Sequence, residues 1–197
     1  WMGMFNDLRA FPEIRDQYQF WFYLYPTGQP FWISAAEMRK DLDLLYDTLD
    51  PMDRSSALHQ MVLVGHSMGG LVSKMQTLES GDDFWHLLSE QPFEELHADT
   101  ELRERLANIA FFEPNPSIRR VITIATPHRG SEFSNDFTRW LARKLIWLPQ
   151  RLVNGTKRLY RDNPDLFREG ELLTISTSID SLAPDSPVLR MMLRARK

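Results

Sequence analysis

Three stretches of the chain are apolar without alternation: Tyr18 to Tyr25 (YQFWFYLY), Met61 to Val64 (MVLV) and Arg120 to Thr126 (RVITIAT). Continuous apolar runs of this length, rich in β-branched and aromatic residues, predict strands buried on both faces. Pro26 stops the first and Pro127 closes the third. Between them the apolar positions recur at helical spacing. Met4, Phe5 and Leu8 predict a helical segment over residues 1–16. Thr27-Gly28-Gln29-Pro30 reads as a turn. Ser34 and Glu37 form a capping-box pattern that opens a helix, with Met38, Leu42, Leu45, Tyr46 and Leu49 on one face and Pro51 at its end.

Helices are also expected over 69–78, 100–110, 135–148 and 151–160. Residues 82–98 are less regular and read as short helices and loop. The chain beyond 160 reads mostly as loop, with one short helix near its end. Strands alternating with helices predict a mostly parallel sheet with helices on both faces, in one domain over 1–197. Ligands in such sheets sit at the carboxyl ends of the strands.

Composition narrows the function more than the fold. With 43% hydrophobic and 25% charged residues among 197, the chain has ordinary globular composition. A net charge of −4 argues against general nucleic-acid binding. The absence of cysteine excludes a Cys nucleophile, a thiolate metal site and a disulfide framework. No apolar run approaches the roughly 20 residues of a membrane span. The paired acids Asp82-Asp83 and Glu94-Glu95 match no metal-ligand spacing and read as a solvated face, so no metal is expected.

One motif carries chemistry. Gly65-His66-Ser67-Met68-Gly69 fits G-x-S-x-G, with Gly70 following, between an apolar strand and a helix. A serine on so sharp a turn needs strained backbone angles. Side chains two positions to either side would strike the neighbouring elements, and glycine removes them. The turn lifts the hydroxyl to a helix N-terminus, where the Met68 N–H can face an oxyanion. A phosphate-binding loop would need a lysine directly after its last glycine, and none follows Gly70.

GHSMGGLVS, ITIATPHRGSEFSN and SIDSLAPDSP together resemble bacterial α/β-hydrolases of the lipase/esterase type, near the inositol-deacylase-like and triacylglycerol-lipase-like groups. The resemblance implies a three-layer α/β/α-hydrolase fold with a helical cap inserted over 132–170. It also implies ester hydrolysis through a Ser-His-Asp/Glu triad, no cofactor, and a small-molecule or lipid ester as substrate. Ser67 is then the nucleophile and the Met68 N–H half of the oxyanion hole, with Gly65, His66, Gly69 and Gly70 supporting the turn.

The triad order in that family is Ser, acid, His. The histidines are His59, His66, His86, His97 and His128, and none follows 128. The expectation is therefore an internal piece of a longer hydrolase, with the second oxyanion donor before Trp1 and the acid and base beyond residue 197. Two alternatives stay open. His128 is an unusual base or part of the pocket rim, and Asp180 or Asp185 is the acid or a turn residue. His66 reads as packing beneath the pocket.

Residues 137–160 carry six cations and no acid, with Phe137, Trp140, Leu141, Leu145 and Leu148 at helical spacing. That pattern suits a cap. It also suits peripheral membrane contact through 139–161, or an ordinary amphipathic helix. A non-catalytic binding or scaffold domain and an acyltransferase are the alternative functions.

Overall fold

The computed structural model describes residues 1–52, 55–131, 159, 161–167 and 181–195. The expected helices over 135–148 and 151–160, most of the cap, the basic segment and Asp180 lie outside these residues.

Two of the expected strands form. β1 (Met61–His66) and β2 (Ile118–Ile124) pair in parallel, with Val64 opposite Ile122, Gly65 opposite Thr123 and His66 opposite Ile124. Parallel neighbours need a long crossover. Residues 67–117 supply it as α4 (Met68–Met75), α5 (Asp83–His86), a 3₁₀ turn (Phe93–Glu95) and α6 (Thr100–Ala110). The chain thus belongs to the α/β class.

Side chains alternate across a strand, so the register sorts them onto two faces. Leu63 and Gly65 face α4, where Leu63 joins the core and Gly65 is buried. Val62, Val64, Ile122 and Ile124 lie on the other face. There Val62, Ile122 and Ile124 are 37%, 43% and 39% exposed. The expectation of strands buried on both faces is corrected: among the described residues the helical cover lies on the α4 side.

The aromatic run is also corrected. Residues 18–25 are not a strand. A strand exists only through its partner, and no backbone hydrogen bond involves residues 19–25 among those described. Aromatic packing holds the run instead. Phe20 and Phe22 each meet Phe5 of α1 (Met2–Ala10) edge-on at 5.3 Å. Tyr23 stacks on Tyr25 and donates its hydroxyl to Asp41 at 3.0 Å. Trp21, Phe22 and Leu24 stay exposed. Pro12 divides the expected N-terminal helix into α1 and α2 (Pro12–Arg15).

The next helix, α3 (Phe31–Leu49), begins one turn before its expected capping box. Pro30 occupies the N-cap position. Ser34 and Glu37 therefore lie inside the helix, where both accept from the buried Gln29 amide, at 3.1 Å and 2.6 Å. Phe31, Trp32, Ala35 and Met38 meet Leu71, Val72 and Met75 of α4 to form the centre of the core.

Phe84, Trp85 and Leu88 extend that core toward α7 (Pro187–Arg194), whose Val188, Leu189, Met191 and Met192 are buried. Asn163 ties in the described part of the late chain. Its Oδ1 accepts from the His97 N–H at 2.7 Å, and its amide donates to the carbonyls of His97 and Leu159.

The start of α6 is fixed by Asp99, whose carboxylate accepts from the Leu102 N–H at 2.9 Å. Asp99→Ala removes that cap on an exposed helix end. We expect a loss of about 1 kcal/mol in urea unfolding.

Candidate functional site: the serine turn between β1 and α4

β1 ends at His66 and α4 begins at Met68, so Ser67 alone makes the bend. Its backbone sits at φ 53°, ψ −127°, a conformation that costs a non-glycine residue about 1–3 kcal/mol. Hydrogen bonds on both sides hold it there. The Ser67 N–H donates to the Ile124 carbonyl at 2.9 Å, and its own carbonyl accepts from the Gly70 N–H at 3.0 Å. Ala125, just past the end of β2, is also at positive φ (48°). Two strained non-glycine residues thus stand side by side at the carboxyl ends of neighbouring parallel strands. Nothing in the sequence marks Ala125.

Ser67 is half-buried, and its hydroxyl has no hydrogen-bond partner among the described residues. The adjacent Met68 N–H belongs to the first turn of α4, where helix geometry leaves amides without internal partners. The helix dipole adds partial positive charge at the same place.

Each glycine has a physical reason. A Cβ on Gly65 would overlap the Gly69 carbonyl group and the Gly70 Cα. A Cβ on Gly70 would overlap the Thr126 side chain. One on Gly69 would lie 3.2 Å from the Tyr25 hydroxyl oxygen. Strand, helix and the chain just beyond β2 therefore close to backbone distance around the serine. Thr126 and Tyr25 are neighbours of the turn that the motif itself does not reveal.

The other singled-out residues fall in different places. His66 points to the open sheet face, exposed, with the Trp1 ring edge-on at 6.5 Å. The expectation that it packs beneath a pocket is corrected: position 66 falls on the opposite side of the pleat from buried Gly65. His128 lies with its Nε2 3.2 Å from the Thr123 hydroxyl. Thr123 pairs with Gly65, so the ring is drawn back along β2 below the level of Ser67. Its Nδ1 is sealed from solvent with no partner among the described residues. Asp185 is exposed on a turn. The segment around it docks on the His128 loop, with the Ser131 N–H donating to the Leu182 carbonyl at 3.1 Å. Gly130, at φ 81°, packs against Pro184 and Ala183.

Burial, and then the charge of Lys74, lower the His128 pKa below its ordinary value. The folded protein therefore binds a proton at this ring less readily than the unfolded chain. Stability is unaffected above the unfolded value of about 6.5 and declines as the pH falls through it toward the folded pKa. We expect the urea midpoint to drop between pH 7.5 and 5, and the drop to shrink in His128→Gln.

Among the described residues no group of three His, Asp or Glu side chains could hold a metal ion. Nor is any helix among them long and apolar enough to cross a membrane. A cavity of about 570 Å³ opens near α5, walled by Trp85, Phe93 and Phe111 with Asp82, His86 and Glu94, and it includes no residue of the serine turn. The chain matches no family model, no curated protein and no solved structure.

Proposed function

We propose that this chain carries the nucleophile of a lipase/esterase-like serine hydrolase with a three-layer α/β/α architecture. The observation that supports this reading best is the backbone of Ser67: φ 53° at the single residue between a parallel strand and a helix. Backbone strain at non-glycine residues clusters at active sites, and here it holds a hydroxyl at the N-terminus of a helix.

In this reading Ser67 Oγ attacks an ester carbonyl while a histidine takes its proton. The carbonyl π electrons move to oxygen, where the Met68 N–H meets them. Collapse expels the alcohol, which takes the proton from the histidine. Water then releases the acid from the acyl-enzyme. His128 is turned toward Thr123, so it is not assigned as the base. Asp180 is the candidate acid. The segment 132–170 would form the cap, with its apolar side toward the acyl group and its basic side available to a membrane surface.

The competing reading is a binding domain that keeps the turn without a working triad. It draws on the lack of any hydrogen bond to Ser67 Oγ among the described residues.

An activated nitrophenyl ester decides between them. The full-length protein should release a burst of nitrophenol equal to the enzyme present, with the acyl group recovered on Ser67. No burst and no acyl-serine would leave the binding domain. If added alcohol diverts the acyl group faster than water hydrolyses it, the enzyme is an acyltransferase.

A further inference from the structure

The hydrolase reading needs a second donor opposite the Met68 N–H. We propose that the phenolic hydroxyl of Tyr25 is that donor, an inference that rests on the proposed function above.

Three observations carry it. First, among the described residues outside its own helix, the Tyr25 oxygen is the one neighbour within 4 Å of the position a Gly69 Cβ would take, at 3.2 Å. Gly69 is the residue after Met68, in the first turn of the helix that the serine opens. Tyr25 therefore reaches the first turn of α4, the end where the oxyanion would form, and a side chain at position 69 would crowd it.

Second, the hydroxyl is uncommitted. Among the described residues it has no hydrogen-bond partner. Its neighbour Tyr23 has one, donating to Asp41 at 3.0 Å.

Third, the ring is positioned rather than loose. It stacks on Tyr23 with centroids 5.7 Å apart and planes 23° apart, and Tyr23 is in turn fixed to α3 through Asp41. Half burial raises the Tyr25 pKa from its ordinary value, so the phenol keeps its proton at neutral pH and stays a donor. In the tetrahedral step Tyr25 lends a hydrogen bond to the oxyanion and transfers no proton.

The test compares an ester with its thionoester, whose sulfur accepts hydrogen bonds poorly. Tyr25→Phe in the full-length protein should lower kcat on the ester about 100-fold, with KM nearly unchanged. The ester-to-thionoester rate ratio should collapse with it, while the melting temperature holds. A merely structural role would move both substrates together. If Tyr25→Phe fails to fold, the same ratio is measured on Gly69→Ala, whose methyl group would stand 3.2 Å from the hydroxyl oxygen and push it off its position, and again it should fall.

A wild-type ratio in the folded variant overturns the assignment of Tyr25 and leaves the hydrolase reading standing. Absence of Ser67-dependent turnover in the wild type overturns both.

Discussion

Ser67→Ala should abolish ester turnover by the full-length protein, lowering kcat by about 10⁴-fold or more. The size of the effect follows from the chemistry. Without Oγ no acyl-enzyme forms, and what survives is the small rate from positioning and oxyanion stabilisation alone. Ser67→Gly separates the hydroxyl from the strain. Alanine keeps the Cβ that makes φ 53° costly, whereas glycine does not. The glycine variant should therefore be equally inactive yet more resistant to urea, by about 1 kcal/mol. A protein that gains stability when its serine is removed holds that serine for function. Wild-type turnover in Ser67→Ala would end the proposal.

Gly65→Val should be the most damaging single change to the fold, costing about 3–5 kcal/mol and largely unfolding the chain. The penalty is high because the atoms in the way are backbone. The Gly69 carbonyl and the Gly70 Cα belong to the first turn of α4 and cannot rotate aside. Gly70→Ala makes the useful contrast. It meets the Thr126 side chain, which can be shortened. Thr126→Ala in the same chain should recover part of the Gly70→Ala loss, since it removes Oγ1 and Cγ2 but leaves the Cβ at 2.9 Å, whereas no side-chain substitution should rescue Gly65→Val. Urea melts of the four variants give the coupling directly. A harmless Gly65→Val would mean that strand and helix do not approach as described.

The serine turn was legible because its requirements are local. A strand, one strained residue, three glycines and the start of a helix occupy the ten positions 61–70, and each leaves a mark on the sequence. The helix over Thr100–Ala110 was legible for the same reason, from apolar positions at helical spacing.

The aromatic run over 18–25 was misread because strand formation depends on a partner elsewhere. Its composition is strand-like, but no other backbone pairs with it among the described residues. The capping box misled differently. Ser34 and Glu37 have the right spacing, yet Gln29 uses both side chains and Pro30 starts the helix earlier.

Tyr25, Thr126 and Ala125 could not be found from the motif. Their places beside the turn come from packing between residues far apart in the chain. His128 could be identified as a candidate but not oriented, because its partner Thr123 is set by the path of the chain after β2.

The most direct measurement is peptide mapping by mass spectrometry after the full-length protein reacts with a fluorophosphonate. One adduct is expected, on the hydroxyl of Ser67, with the other serines unmodified. An unlabelled Ser67, or an adduct confined to another serine, would contradict the assignment of this residue as the nucleophile.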